Sequence, residues 1–155
     1  MPKSAAPRPS LTRNLLSQIA HDYPDFTLKP GARFTWKPPK TIVYEPETAY
    51  PPLYFALLTL HELGHAVSKH KDYKTTVERL KIESEAWSAA RRLFIKYQKS
   101  DILPANWAWD TDFVENHLDT YRDWLHTKTT CKTCGLTMYQ TPDGSYHCPF
   151  CDTAA

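Results

Sequence analysis

Apolar positions along the chain repeat mostly at spacings of three and four residues, which is typical of helices with one buried face. Four segments have this period: about Leu11–His21, Pro51–Val67, Thr76–Gln98 and Asp110–Thr127. Two short apolar runs, over 26–36 and 40–44, predict strands, and Pro38-Pro39 between them predicts a turn or a sheet edge. The pattern lacks a long strand–helix–strand alternation, so it predicts an α+β fold rather than a doubly wound parallel sheet.

The segment over 51–67 is apolar all round in its first half, which predicts a helix at the centre of the core. It nevertheless carries the motif His61-Glu62-Leu63-Gly64-His65. Residues four apart share a helix face, so the two imidazoles can bind one zinc ion. Glu62 follows the first of them and can act as general base toward a metal-activated water. We therefore expect a catalytic zinc on His61 and His65, with Glu62 as the catalytic residue.

A hydrolytic zinc keeps three protein ligands, and the candidates for the third are His70, Glu83 and Glu85. His70 falls in a polar loop over 70–75 and is expected to be exposed. Glu85 shares its helix face with charged residues, whereas the face of Glu83 is otherwise apolar: Leu80, Ala86, Ala90, Leu93 and Tyr97. A lone carboxylate on a buried face needs a partner, which is either zinc or a buried arginine. Helix phase therefore favours Glu83, with Glu85 as the alternative.

All four cysteines lie in the last 25 residues, in two Cys-x-x-Cys pairs separated by 13 residues: Cys131, Cys134, Cys148 and Cys151. Between the pairs, Pro142-Asp143-Gly144 predicts the turn of a hairpin. This spacing predicts a zinc ribbon with a closed four-thiolate site, which has no open position for hydrolysis. A ribbon of about 25 residues has almost no core, so the metal is expected to supply its folding free energy.

The segment Leu60–Ala66, together with Glu83-Ser84-Glu85-Ala86 and Ala89-Ala90, resembles the ImmA/IrrE family of zinc metallopeptidases, over about residues 42–95. The resemblance implies a zincin-like fold of the gluzincin type, in which the third ligand is the first residue of an E-x-x-A pattern, here Glu83. Trp87 stands where that family often has Asn or Asp. Antirestriction-type metallopeptidases share a similar pair of helices. SprT-like proteases do so as well, and they can also carry a C-terminal zinc ribbon.

The composition of the chain excludes some classes of protein and leaves the predicted fold unchanged. The chain has 155 residues, 41% hydrophobic and 23% charged, and its net charge of +2 is too small to indicate a polyanionic partner. No apolar run approaches the ~20 residues of a membrane span. The opening MPKSAAPRPS lacks the apolar stretch of a signal peptide. Together with the paired cysteines, this predicts a cytoplasmic protein without membrane contact.

These features predict a disordered tail over 1–10, a zincin-like domain over 11–127 and a zinc ribbon over 128–155. We expect a zinc metalloendopeptidase with two zinc ions, acting on a protein substrate such as a repressor or a DNA-associated protein. The alternative is a catalytically inert adaptor whose ribbon binds DNA or a protein. The oxyanion donor stays open among five residues: Tyr50, Tyr54, His70, Tyr73 and Tyr97.

Overall fold

The computed structural model describes residues 10–153, so only Ser10 of the predicted tail is described. The helices are α1 (Leu11–Asp22), α2 (Pro52–Val67), α3 (Thr76–Lys99) and α4 (Thr111–Thr129). The strands are β1 (Thr27–Pro30), β2 (Thr35–Lys37), β3 (Thr41–Tyr44), β4 (Tyr139–Gln140) and β5 (Tyr146–His147). Single 3₁₀ turns occupy Glu47–Ala49 and Cys151–Thr153. The mixture of helices with small sheets confirms the α+β class.

The helices begin where side-chain oxygens can bind their first N–H groups. The hydroxyl of Ser10 accepts a hydrogen bond from the Arg13 backbone N–H at 3.3 Å, and the carboxylate of Asp110 accepts one from Phe113 at 2.9 Å. Asp110 is therefore the N-cap of α4 rather than its first residue, one position from the prediction. Helix α2 begins instead at Pro52, whose ring suits the first turn.

The prediction of one strand over 26–36 is wrong, because this segment contains two. Gly31 follows β1 and still donates its N–H to the Tyr44 carbonyl of β3 at 2.8 Å, and the chain then turns before β2 begins. The sheet order is β1-β3-β2, with β1 parallel and β2 antiparallel to β3. The Pro38-Pro39 pair connects β2 to β3, as predicted, and its peptide bond is cis.

The described residues form two compact units. The first comprises residues 10–70 and 86–109, and the second comprises 71–85 and 110–153. The predicted division at residue 127 differs from this grouping, which places α4 and the start of α3 with the cysteine-bearing segment. Helix α3 is continuous and contributes to both units.

Helix α2 is the centre of the first unit, and every residue from Phe55 to Ala66 is buried. It approaches α3 closely at Gly64, where an added Cβ would overlap the backbone carbonyl oxygen of Ala86. Small side chains on α3, Ala86, Ala89 and Ala90, are likewise buried. This close contact requires that Gly64 has no side chain, because the backbone of Ala86 cannot move aside as the end of a flexible side chain could.

In the second unit, the first turns of α3 bind both α4 and the hairpin β4–β5. The Arg79 guanidinium lies 4.9 Å from the Trp124 ring centroid and 5.2 Å from that of Tyr121, within cation–π range. The Thr76 backbone N–H donates to the Gln140 side chain at 3.1 Å, and the Tyr146 hydroxyl bonds to that of Thr76 at 2.6 Å. These contacts explain why the start of α3 groups with the ribbon.

None of the helices in the described part of the chain combines the length and the apolar character needed to cross a lipid bilayer.

Gly64→Ala should lower the free energy of unfolding by about 1–3 kcal/mol, because the added methyl group meets backbone rather than a side chain. Urea titration followed by circular dichroism measures the loss. Gly31→Ala is the matched control, since its added Cβ would meet the Val43 side chain. An equal or larger loss for Gly31→Ala would contradict the assigned role of Gly64.

Candidate metal centres

Two groups of side chains in the described residues have the composition and spacing to hold a metal ion. The first is built on α2, whose helical spacing places His61 and His65 on one face. Both side chains are buried, and their Nε2 atoms lie 3.2 Å apart. Two nitrogens bound at about 2.0–2.1 Å to a tetrahedral zinc would lie ~3.3 Å apart. The imidazole pair therefore fits a single zinc ion.

Glu83 completes this group from α3. Each of the three residues offers one ligand atom, and these atoms lie within 4.8 Å of one another. Glu83 is 9% exposed and lies one turn before Ala86, the residue whose carbonyl faces Gly64. The structure thus brings together His61, His65 and Glu83, the set expected from helix phase.

Glu85 lies on the opposite, solvated side of α3. Its carboxylate is 3.7 Å from the Lys81 ammonium, and its side chain is 48% exposed. An ion pair of this kind at i, i+4 contributes little to stability. The structure therefore places Glu85 outside the group that could hold the metal ion.

Glu62 is buried on α2 next to the first histidine, 8% exposed. Carboxylates are rarely buried without compensation, so the burial of Glu62 indicates a polar or charged partner. Its place in the chain matches the role of general base expected from the motif.

Trp87 supports the first histidine in a way that the sequence reasoning missed. Its ring stacks on that of His61, with centroids 4.2 Å apart and an interplanar angle of 24°. Trp109 packs edge-on against Trp87 at 6.2 Å, and Phe94 packs against Trp109 at 5.6 Å. An aromatic ring therefore stacks on His61 from the position where the family named above often has Asn or Asp.

The prediction that His70 is exposed is wrong. It is 8% exposed, and its Nδ1 lies 3.0 Å from Nδ1 of His65. Its backbone carbonyl accepts a hydrogen bond from the Trp36 indole at 2.8 Å. The polar composition of the loop predicts exposure, but the first residue of the loop folds back on the end of α2.

The candidates for an oxyanion donor separate by position. Tyr97 is fully buried, burial raises its pKa, and it follows Glu83 by 14 residues on α3, a rise of about 21 Å. It is therefore excluded. Tyr54 precedes His61 by seven residues, which is two turns on the same face of α2, and it is half-buried. Tyr54 remains a candidate, as does Tyr50, whose pKa is raised by burial and by Glu45.

The second group consists of the four cysteines, all with free thiols. The Sγ atoms of Cys131 and Cys151 lie 3.9 Å apart, and those of Cys134 and Cys148 lie 3.5 Å apart. Zinc–sulfur bonds of about 2.3 Å in a tetrahedral site place two sulfurs ~3.8 Å apart. The four sulfurs therefore fit one zinc ion.

Backbone geometry around the first cysteine pair favours a thiolate at Cys131. The backbone N–H groups of Cys134 and Thr133 donate to the Cys131 sulfur and lower the pKa of that thiol to about 6. Gly135 takes a φ of +75°, which a residue with a side chain rarely adopts, and its N–H donates to the Cys131 carbonyl at 2.8 Å.

The neighbouring Cys134 sulfur raises the pKa of Cys151 to about 12, and Cys134 itself has a raised pKa. Zinc binding must release the protons of such thiols, so the affinity of the cysteine site falls as the pH falls.

No protein-family model, curated protein or solved structure matches this chain. The resemblance to the ImmA/IrrE family therefore stays a prediction.

The double variant Cys131→Ser, Cys148→Ser should lose one zinc ion per chain, because serine hydroxyls do not replace thiolates as zinc ligands. Inductively coupled plasma mass spectrometry of the purified protein measures the metal content. Thr133→Ala is the control, since it removes a side chain in the same turn but keeps the backbone N–H. An unchanged zinc content in the double variant would refute a thiolate site.

Glu83→Ala should weaken zinc binding at the histidine site by at least about 100-fold, since loss of a direct ligand costs no less than loss of its supporting residue. Glu85→Ala should leave the affinity unchanged. Competition with a chromophoric chelator measures the zinc affinity of both variants at the histidine site, at zinc concentrations that keep the cysteine site occupied. Equal effects of the two substitutions would contradict the choice of Glu83.

Proposed function

We propose that the chain is a zinc metallopeptidase that hydrolyses peptide bonds in a protein substrate. The observation that carries this is the convergence of His61, His65 and Glu83, together with the burial of Glu62, the residue that follows His61 on α2. Three protein ligands leave the fourth position of a tetrahedral ion open, as catalytic zinc sites require.

The chemistry divides between the ion and the chain. When bound, zinc supplies a Lewis acid that lowers the pKa of water toward ~7 and polarises the scissile carbonyl. Glu62 accepts the proton of the attacking water and delivers it to the leaving amine. His61 and His65 stay neutral and donate their Nε2 lone pairs, while Glu83 contributes negative charge. Tyr54 is the leading candidate to stabilise the oxyanion, because it lies on the same helix face.

The resemblance stated above supports a zincin-like domain of the gluzincin type, with α2 and α3 as its pair of ligand-bearing helices. It also supports a protein substrate such as a repressor or a DNA-associated protein. The cysteine site is proposed as a structural zinc ribbon, because four thiolates close the shell of the ion. Its free thiols favour a reducing compartment such as the cytoplasm.

A second candidate function is an inert adaptor, in which both metal ions are structural. It is favoured by three large apolar side chains exposed on the ribbon: Leu136, Tyr139 and Phe150. Exposed aromatic groups of this kind can contact a protein partner or stack on nucleic-acid bases. The ribbon could bind such a partner in an enzyme as well, so hydrolysis is the property that separates the two functions.

Glu62→Gln should keep two zinc ions per chain and lower hydrolysis by about 10²–10⁴-fold, because the amide cannot accept a proton from water. The assay is cleavage of a proteome-derived peptide library by the zinc-loaded protein, read by mass spectrometry. Glu85→Gln, an exposed carboxylate on α3, is the matched control and should cleave like the original chain.

Equal cleavage by the Glu62→Gln and Glu85→Gln variants would show that Glu62 is not the base. Zinc-loaded protein that cleaves no library peptide would favour the adaptor.

A further inference from the structure

Helix α2 ends one residue before a turn that places His70 against His65. Lys69 takes a φ of +56°, in the left-handed region. Its N–H donates to the Ala66 carbonyl at 3.1 Å, and the N–H of His70 donates to the His65 carbonyl at 3.1 Å. These two bonds are the pair that defines a Schellman motif, with Lys69 at C′ and His70 at C″.

A Schellman motif brings the side chain at C″ toward the side chain at C3, where an apolar contact is usual. Helix α3 ends in the same way, with Asp101 at a φ of +57° and Ile102 N–H bonded to the Tyr97 carbonyl at 2.9 Å. There the C″ residue is aliphatic and the C3 residue is aromatic. At the end of α2 both positions are histidines instead, so the ordinary apolar contact is replaced by a ring-to-ring hydrogen bond.

The two nitrogens of His65 serve different neighbours. Its Nε2 lies 3.2 Å from Nε2 of His61, on the side of the candidate metal position, and its Nδ1 lies 3.0 Å from Nδ1 of His70. A neutral imidazole that gives its Nε2 lone pair to a metal carries its proton on Nδ1. That proton needs an acceptor in a buried site, and the Nδ1 lone pair of His70 supplies it.

His70 is itself held from a second side. The Trp36 indole of β2 donates to its carbonyl at 2.8 Å, so the sheet fixes the backbone of the loop. Burial to 8% exposure restricts its ring. The acceptor nitrogen is thus placed by the helix end and by the sheet, and it does not depend on a mobile side chain.

We propose that His70 is a positioning residue for the zinc site, which orients His65 and fixes its Nδ1-protonated tautomer. This inference rests on the metal site of the proposed function, but it does not require that the protein hydrolyses peptides. Residues that bond the outer nitrogen of a metal-bound histidine commonly change metal affinity by 10–100-fold when they are replaced.

The test compares His70→Leu with His70→Asn in the full chain. Asparagine can place its amide oxygen near the position of Nδ1 and keep an acceptor, whereas leucine cannot. We expect His70→Leu to weaken zinc binding at the histidine site by 10–100-fold in chelator competition, and His70→Asn to restore most of the loss. His21→Leu, an exposed histidine on α1, is the matched control. Circular dichroism of each variant checks that the fold is kept.

Nuclear magnetic resonance of histidine-labelled, zinc-loaded protein gives an independent readout. In the original chain and in His70→Asn, His65 should show zinc on Nε2 and a slowly exchanging proton on Nδ1. In His70→Leu that proton should exchange at least tenfold faster. If His70→Leu binds zinc as tightly as the original chain, or if asparagine rescues neither readout, the positioning role is refuted. If the original chain binds a single zinc ion, in the cysteine site, the proposed function itself fails.

Discussion

Burying polar side chains in apolar surroundings costs free energy, and this cost constrains helix α2 and its neighbours. Helix α2 is buried over its whole length from Phe55 to Ala66, yet it includes two histidines and a glutamate. Glu83 is buried as well. Carboxylates in such surroundings must be protonated, paired or bound to a cation. A divalent cation bound between the imidazoles and Glu83 satisfies this requirement with short, directional bonds. The close helix contact at Gly64 serves the same requirement, since it places the carboxylate of one helix within reach of the imidazoles of the other.

The cysteine-bearing segment has little apolar core of its own. Cys131 and Cys148 are buried, whereas Leu136, Tyr139 and Phe150 are exposed. Each of its strands is only two residues long, which is too short to be stable alone. The four sulfurs already lie at separations suited to a tetrahedral ion. Hydrogen bonds with Thr76 at the start of α3 also stabilise the hairpin.

Much of this arrangement could be predicted from the sequence, because it follows from local periodicity. The four helices, the hairpin turn and the choice of Glu83 over Glu85 all depend on spacing along one element. What could not be predicted depends on contacts between elements. The segment over 26–36 is divided because β1 and β2 pair with opposite edges of β3. The burial of His70 follows from a non-glycine residue in the left-handed region, for which the sequence gives no signal. The stacking of Trp87 on His61 could not be predicted either, because it depends on how two helices place their rings.

Helix α3 contributes residues to both units. Its first turn makes hydrogen bonds with the hairpin β4–β5, and its third turn carries Glu83. The alanines of the following turns are buried in the first unit. Thr76 and Glu83 are seven residues apart, so they lie two turns apart on the same helix face. Fraying of a helix begins at its ends, and hydrogen bonds to the terminal N–H groups oppose it. The bonds from Gln140 and Tyr146 therefore stabilise the first turn of α3, two turns before Glu83.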